Sequence, residues 1–223
     1  MLRVNNLTGF GVGGKAEDPS ITFVSSASNT NSDSYSASMD IGDAARGLVK
    51  HVIVALSGAD GNDTADDTFT VSGTVDGVSL TQAVEETFST TGPSFSSNFS
   101  WIGIAAVSSA GSKTVALTLT GFGGTMDDWT IAVYRAVGLS SATATATGQN
   151  NGTGASVTMD VPANGFGVVT ASSKRGDGNI DITNLVDDVQ GQGGAVGHKT
   201  TAGSASHTDA DCRTIVYATW TFQ

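Results

Sequence analysis

The sequence predicts an all-β protein, an antiparallel β-sandwich or jelly roll that follows an extended N-terminal arm. Short runs rich in β-branched, aromatic and aliphatic residues occur at 48–56, 101–107, 114–119, 129–134 and 214–220. Glycine, serine, asparagine or aspartate flanks each run, which is typical of strands joined by turns. Turn signals recur roughly every ten residues, a spacing expected of sandwiches and jelly rolls.

The length and composition favour one large β domain. A chain of 223 residues is long enough for a single sandwich with a well-buried core. We divide it into an arm over residues 1–20 and a single β-sandwich domain over residues 21–223. The arm includes the glycine-rich segment 9–14, and glycine at this density does not hold a regular element by itself.

The first strands are predicted from apolar residues and their spacing. Residues 21–24 favour a strand, and residues 25–34 are interpreted as a polar turn. Apolar and polar residues alternate over 35–41, the period of a half-buried strand. The run 48–56 is almost continuously apolar, so we expect it at the centre of a sheet.

Turn residues predict how later strands connect. Asp76 and Gly77 favour a tight hairpin. Residues 99–107 and 113–120 flank a Ser/Gly turn and are expected to pair with each other. Alternating Ala and Thr residues over 142–147 indicate an edge strand. Other strands are predicted at 68–75, 78–80, 83–88, 129–137, 141–147, 155–161, 166–171, 180–189, 195–199, 204–207 and 213–222.

The charge balance argues against two classes of partner. The formal net charge is −11, and only ten basic residues are scattered along the chain. A nucleic-acid-binding surface needs clustered Lys and Arg, and anionic membranes repel an acidic protein. We therefore expect no nucleic-acid partner and no membrane partner.

The single cysteine and the N-terminal sequence bear on the compartment. Cys212 has no second cysteine with which to form an internal disulfide, so we expect it to pack as a small strand residue. The opening residues lack the apolar core of a secretory signal, and no run approaches the roughly 20 apolar residues of a membrane span. We expect assembly in a cytoplasm, without a cofactor.

The acidic segment 60–67 is the main candidate for a metal site. Carboxylate and amide oxygens are the ligands that Ca²⁺ prefers. The segment departs from an EF-hand loop, because Ala65 stands where glycine is required and Val71 stands where the bidentate glutamate belongs. A solvated turn is the favoured interpretation. The alternative is a weak Ca²⁺ site with the ligands Asp60, Asn62, Asp63, Asp66 and Asp67.

Paired carboxylates suggest glycoside hydrolysis, which requires two carboxyl groups about 5–10 Å apart in a cleft. The candidate pairs, 127–128 and 187–188, occupy adjacent positions, so their side chains diverge on a strand. We interpret both pairs as surface residues. No Gly-x-Ser-x-Gly motif with its strand and helix context is present. We therefore expect no enzymatic activity.

Histidine and tryptophan residues are interpreted mainly as core residues. His51 lies within an apolar run, whereas His207 alternates with Asp209 and Asp211 and does not complete a typical zinc set. The tryptophans could stack on sugar rings, but each one begins or ends an apolar strand, which favours burial. They are Trp101, Trp129 and Trp220.

Several segments resemble small virion proteins of tailed bacteriophages. The opening MLRVNNLTGFG over 1–11 is similar to the short openings of these proteins. The body resembles their jelly-roll sandwiches in ARGLVKHVIV over 45–54, VSGTVDGVSL over 71–80, SAGSKTVALTL over 109–119 and VPANGFGVV over 161–169. The resemblance as a whole covers most of the chain, and its motifs are packing patterns without functional residues.

The resemblance implies a non-enzymatic structural component of a phage particle. Its role would be that of a capsid decoration (cement) protein or a head or tail accessory protein, located in the virion and attached to major capsid or tail proteins. Such proteins commonly form homo-oligomers, and a trimer is favoured. Ordering a glycine-rich arm costs much conformational entropy, so we expect neighbouring chains to hold it, through Leu2, Arg3, Val4, Leu7, Phe10 and Val12.

One alternative function stays open from the sequence. Sandwich folds often present glycan sites, although the function belongs to the site and not to the fold. The alternative is a carbohydrate-binding β-sandwich module that contacts glycans on the host surface.

Overall fold

A computed structural model describes residues 18–30, 32–43, 48–60, 69–90, 96–121, 126–173, 185–191, 193–208 and 210–223. Strands provide the regular secondary structure in these ranges, and no helix occurs there. The predicted all-β, antiparallel fold is therefore confirmed. Residues 1–17 of the predicted arm lie outside the described residues, so the division into arm and domain stays a prediction.

The strands follow one another closely along the chain. In order they are β1 (Ser20–Thr30), β2 (Ser34–Asp40), β3 (Lys50–Asp60), β4 (Thr70–Val75), β5 (Val78–Ser79), β6 (Thr81–Thr90), β7 (Ser96–Ala106), β8 (Ser112–Thr120), β9 (Asp128–Val137), β10 (Ala146–Asn151), β11 (Ser156–Val161), β12 (Gly165–Ser173), β13 (Val186–Gly191), β14 (Gly194–Lys199), β15 (Gly203–Thr208) and β16 (Cys212–Thr221).

Strands β1 to β9 form a jelly roll. The central sheet has the order β1-β9-β3-β7-β6, and the outer sheet has the order β2-β8-β4-β5. In both sheets, early strands of this module alternate with late ones, which is the interleaved arrangement of two Greek keys. Strand β5 completes the outer sheet, and β6 then adds a fifth strand to the edge of the central sheet.

The remaining strands add two more layers. The C-terminal sheet has the order β10-β16-β12-β14-β13 and packs on the free face of the central sheet. A ribbon of β11 and β15 covers the far side of the C-terminal sheet, where Met159 and Ala205 pack against Tyr217. The molecule is therefore a stack of an outer sheet, a central sheet, a C-terminal sheet and a ribbon.

The central sheet is buried on both faces. Successive side chains of a strand point to opposite faces, and in β3 Val54 joins the core under the outer sheet whereas Ile53 and Ala55 join the core under the C-terminal sheet. Each fully buried aliphatic side chain contributes about 1.5–3 kcal/mol to stability. This double burial explains why the run 48–56 is almost continuously apolar, and it confirms the predicted central position.

The hairpin prediction at Asp76 and Gly77 is confirmed. Both residues have positive φ angles, 53° and 82°, and Val75 faces Val78 across the turn. This is the conformation of a two-residue turn whose twist matches that of the flanking strands. Asp76 also accepts a hydrogen bond from the ammonium group of Lys113 at 3.0 Å, which ties the hairpin to β8.

Two predictions about the jelly roll are wrong. Residues 25–30 continue β1 and do not form part of a polar turn; polar residues suit this strand because it lies at an edge of the central sheet. Strands β7 and β8 do not pair with each other. Strand β7 pairs with β3 and β6, and β8 pairs with β2 and β4, because residues 107–111 carry the chain from one sheet to the other.

The Ala/Thr segment also differs in part from its prediction. Strand β10 begins at Ala146, so residues 141–145 precede it, but β10 does lie at an edge of the C-terminal sheet, as expected for an edge strand. Hydrogen bonds hold the preceding stretch in place: the indole of Trp220 donates to the carbonyl of Ala142 at 3.1 Å, and the amide of Thr145 donates to the carbonyl of Thr219.

Glycines let the β13–β14 turn approach the central sheet closely. A Cβ at Gly194 would lie 2.1 Å from the carbonyl oxygen of Ala171 and 2.4 Å from the hydroxyl of Ser57. A Cβ at Gly193 would lie 2.6 Å from the carbonyl oxygen of Asp128. Real Cβ atoms are excluded at such distances, so the two sheets can meet here only through glycine.

We expect Gly194→Ala to lower the free energy of unfolding by about 2–4 kcal/mol, because the new methyl group overlaps backbone atoms that cannot move independently. Urea denaturation followed by tryptophan fluorescence measures this loss. Gly77→Ala is the matched control: its φ is also positive, but nothing lies within 4 Å of the added Cβ. The control should lose only about 1 kcal/mol. Equal losses in the two variants would contradict the close approach.

Candidate functional site

A buried polar cluster joins the central sheet to the C-terminal sheet. The hydroxyl of Tyr134 donates to Oδ2 of Asp188 at 2.6 Å. Nδ1 of His198 lies 2.6 Å from the same carboxylate oxygen. The side chain of Asp188 is only 4% exposed, and that of His198 is 15% exposed. We call these three residues the Tyr–Asp–His cluster.

A β-bulge places the carboxylate of this cluster. In the pairing of β13 with β14, Asp187 faces Gly197 and Val189 faces Val196, so Asp188 is the extra residue between two regular pairs. A bulge of this kind re-aims a side chain that strict alternation would send elsewhere. At this bulge the side chain of Asp188 is 4% exposed, whereas its neighbour Asp187 is exposed.

Aromatic packing surrounds the cluster on the side of β9. The ring of Tyr134 is fully buried and makes edge-to-face contacts with His198 at 5.7 Å and with Phe23 at 5.8 Å, measured between centroids. Such contacts favour a fixed ring orientation. Phe23 is 36% exposed, so the cluster lies just below the surface, at the side of the stack where β1 and β13 are located.

The protonation state of Tyr134 follows from its surroundings. Burial raises the pKa of Tyr134 well above its usual value of 10.0, and the charge of Asp188 and the hydrogen bond to it act in the same direction. At neutral pH the hydroxyl is therefore a permanent donor. A carboxylate that accepts bonds from two side chains has much of its lost hydration replaced.

The chemistry of this cluster suits a structural role. A carboxylate on Nδ1 fixes the orientation of an imidazole, an arrangement used by catalytic and metal-binding histidines. In the described part of the chain, however, only Asp188 hydrogen-bonds to the ring of His198, and no group of three or more His, Cys, Asp or Glu side chains could hold a metal ion. The three residues come from β9, β13 and β14, so the cluster links two layers.

The predicted Ca²⁺ ligands are only partly described. Asp60 is the last residue of β3 and is 3% exposed. The other four, Asn62, Asp63, Asp66 and Asp67, lie outside the described residues, so the Ca²⁺ site stays a prediction. The predicted partner-binding residues Leu2, Arg3, Val4, Leu7, Phe10 and Val12 also lie outside them.

The surface interpretation of the paired carboxylates is wrong in three positions. Asp127 and Asp128 are 6% and 7% exposed, at the start of β9. Asp188 is buried by its bulge, whereas Asp187 is exposed as predicted. No local sequence pattern predicts a bulge. The sequence therefore gives no signal that the two neighbouring aspartates differ in solvent exposure.

The remaining predictions for single residues concern the core. His51 and Cys212 are buried, as expected. Burial lowers the pKa of His51. His207 is buried on β15, Asp211 is exposed, and Asp209 lies outside the described residues.

All three tryptophans are buried, as predicted, and none of them offers an exposed ring to a sugar. They are Trp101, Trp129 and Trp220.

A cleft of about 470 Å³ opens where β6 meets the segment before β10. The described residues in its walls carry hydroxyl, amide and small apolar groups, and none of them is charged. The indole of Trp101 donates to Oε1 of Gln82 at 3.4 Å, which anchors one wall, and the bond from Trp220 to Ala142 anchors the other. The lining residues are Thr81, Gln82, Ala83, Ile104, Ala142, Thr143, Ala144 and Thr147.

No protein-family model matches the sequence, and no curated protein is significantly similar to it. None of the described residues belongs to a helix long and apolar enough to cross a membrane.

We expect Tyr134→Phe to lower the free energy of unfolding by about 1–3 kcal/mol at pH 7, because a buried carboxylate loses a donor. The raised pKa means that the folded protein keeps this proton at pH values where the unfolded chain releases it. The contribution of Tyr134 is therefore present below about pH 10 and is lost as the pH rises further. Urea denaturation from pH 7 to about pH 11 measures both effects.

Tyr217→Phe is the matched control, because no described residue hydrogen-bonds to its hydroxyl. This control should change stability by less than about 0.5 kcal/mol. In a double-mutant cycle, Tyr134→Phe and Asp188→Asn should show a coupling energy of at least about 0.5 kcal/mol. Additive effects in the cycle would show that the hydroxyl and the carboxylate act independently.

Proposed function

We propose that this protein is a non-enzymatic structural component of a bacteriophage particle, a capsid decoration protein or a head or tail accessory protein. The observation that carries the proposal is the strand order of the central and outer sheets. Eight-stranded jelly rolls of this kind are used by viral capsid and lectin domains. The support is an analogy at the level of the fold, to which the resemblance of several segments to phage virion proteins adds.

The layered core suits a protein that serves as a rigid building block. The central sheet is covered on both sides, and the Tyr–Asp–His cluster links it to the C-terminal sheet. A hydroxyl-rich surface on a chain with a net charge of −11 would keep such a block soluble before assembly.

The place where the predicted arm joins the body also supports attachment through the arm. Pro19 lies against Gly138 together with Leu48, so the chain enters β1 beside these residues. A groove of about 340 Å³ adjoins this point, and Val49 in its wall is 52% exposed. In this proposal, the arm residues that contact a major capsid or tail protein are Leu2, Arg3, Val4, Leu7, Phe10 and Val12.

We expect deletion of residues 2–18 to abolish incorporation into particles, because the attachment segment is lost. The full-length chain and the deletion variant are supplied in trans to phage that lack the gene. Purified particles are then analysed by quantitative mass spectrometry.

Urea denaturation of the deletion variant serves as the control for folding. Unchanged occupancy of particles would contradict the role of the arm. Absence of the full-length chain from particles would contradict the virion function itself.

A second candidate function is carbohydrate binding, and the cleft beside β6 favours it. Its threonine hydroxyls and the amide of Gln82 can donate to and accept from sugar hydroxyls, while Ile104 and Ala83 provide an apolar floor. Its volume falls within the usual range for small-molecule sites. Because none of the described residues that line the cleft is charged, the ligand class it fits is a neutral glycan.

We expect neutral monosaccharides and disaccharides to bind this cleft with dissociation constants in about the millimolar range, since the site is open. A glycan array followed by titration calorimetry measures this. Thr143→Arg, which fills the cleft, should abolish binding, whereas Thr153→Arg on an exposed turn should leave it intact. Binding of acidic glycans alone, or equal binding by both variants, would contradict this function.

A further inference from the structure

We infer that the open edge of β1 pairs with the same strand of a second copy of this chain, in an antiparallel arrangement about a two-fold axis. The inference deepens the proposed structural role, on which it rests, because it names the surface through which copies associate. In the described part of the chain, β1 pairs with β9 on one side and with no strand on the other. Such an unpaired row of amide and carbonyl groups is a template for another strand.

The edge strands of the three large sheets fall on two sides of the stack. Strand β1 contacts β2 and β13, so the edges of the outer, central and C-terminal sheets lie together on one side. Strand β6 contacts β10 on the other side, where β5 ends the outer sheet. We call the side formed by β2, β1 and β13 the β1 side.

Charge favours β1 over β6 as the edge for contact between identical chains. Two copies that each carry a net charge of −11 repel each other. Strand β1 (Ser20–Thr30) contains no charged residue over its eleven positions. On the opposite side, β6 carries Glu85 and Glu86, and Glu86 accepts a hydrogen bond from Asn151 of β10. Like charges that face each other across a strand pair are destabilising, so β1 is the better edge for self-pairing.

Two of the exposed large hydrophobic residues lie on the β1 side. The large hydrophobic residues that are exposed in the described part of the chain are Phe23, Val49, Val78 and Val186. Phe23 lies on β1 and packs on Tyr134, and Val186 faces His198 at the start of β13. These two residues therefore flank the Tyr–Asp–His cluster. Val186 is 56% exposed, a large fraction for an aliphatic side chain with no described role in the core.

An antiparallel pair about a two-fold axis uses the same surface, the β1 edge, on both chains. A two-fold axis places the same strand on both sides of the contact, so each chain supplies the complementary edge. The joined central sheets would then have ten strands, twice the five of one copy. Both Phe23 rings would lie on one face of the joined sheet, next to the Val186 side chains. Burial of these groups adds hydrophobic stabilisation to the main-chain hydrogen bonds.

Sedimentation velocity of the full chain between about 1 and 100 µM tests the inference, with Ser26→Lys as the main variant. Ser26 is an exposed residue near the middle of β1, so the variant brings two lysines close together across the axis. The expected result is a dimer whose dissociation constant rises at least tenfold in Ser26→Lys. Gln149→Lys, on the exposed edge strand β10, is the matched control and should leave the dimer unchanged.

A second pair of variants tests the apolar contact. Val186→Ser should weaken the dimer, whereas Val78→Ser, on the edge strand β5 of the other side, should not. Hydrogen exchange adds a direct readout, because the β1 amides should gain protection as the concentration rises. Urea denaturation of all four variants confirms that each one is folded.

Several outcomes would overturn the inference. These are a monomer at every concentration, the trimer that the resemblance to phage virion proteins implies, or a dimer that Ser26→Lys and Gln149→Lys weaken equally. A dimer that forms only after deletion of residues 2–18 would show that the chain's own arm covers β1, and it too would overturn the inference. Incorporation into particles is measured separately, so a monomeric protein that still enters particles would refute this contact and leave the proposed function standing.

Discussion

Burial of the central sheet on both faces is the constraint on which the rest of the structure depends. A strand covered on both sides has no solvent-facing side, so β3 and β9 are buried at nearly every position and are mostly apolar in their middle parts. The outer sheet needs only one apolar face, and the alternating burial along β8 shows this difference directly. The hydrophobic residues of the chain are concentrated accordingly in the strands of the middle layer.

Some of the polar groups inside the stack form hydrogen bonds that link its layers. Between the central and C-terminal sheets, the hydroxyl of Thr214 lies 2.8 Å from that of Ser100 and 2.6 Å from that of Ser172. The Tyr–Asp–His cluster makes a second polar link between the same layers. Buried hydrogen-bonded groups fix relative positions more narrowly than apolar contacts do. These links therefore help to hold the C-terminal sheet in one register on the jelly roll.

The sequence predicts the strands better than it predicts their neighbours. Apolar runs and turn residues located β3, β9 and the hairpin at Asp76 and Gly77, because these signals are local. The pairing partners of β7 and β8 were missed, since a turn between two strands does not specify whether they share a sheet. The end of β1 was missed because a polar edge strand has the composition of a loop.

The candidate site was even less accessible from the sequence. Asp188 and His198 are ten residues apart, but Tyr134 joins them from a strand more than fifty residues earlier. The decisive feature is a bulge of one residue, and adjacent aspartates give no sign of it. The hydroxyl-lined cleft is equally non-local, because β6 and the segment before β10 meet only after the C-terminal sheet has packed.

The order of the layers along the chain has a consequence for biosynthesis. All strands of the jelly roll precede residue 138, but the sheet that covers its second apolar face is completed only by β16, which lies between β10 and β12 and ends at Thr221. During translation, residues such as Ile53 and Ile102 therefore stay uncovered until almost the whole chain has left the ribosome. Exposed apolar surface of this kind promotes aggregation of nascent chains. A chain that ends after β9 would form a jelly roll with an exposed hydrophobic face. Chaperones bind exposed apolar surface of this kind.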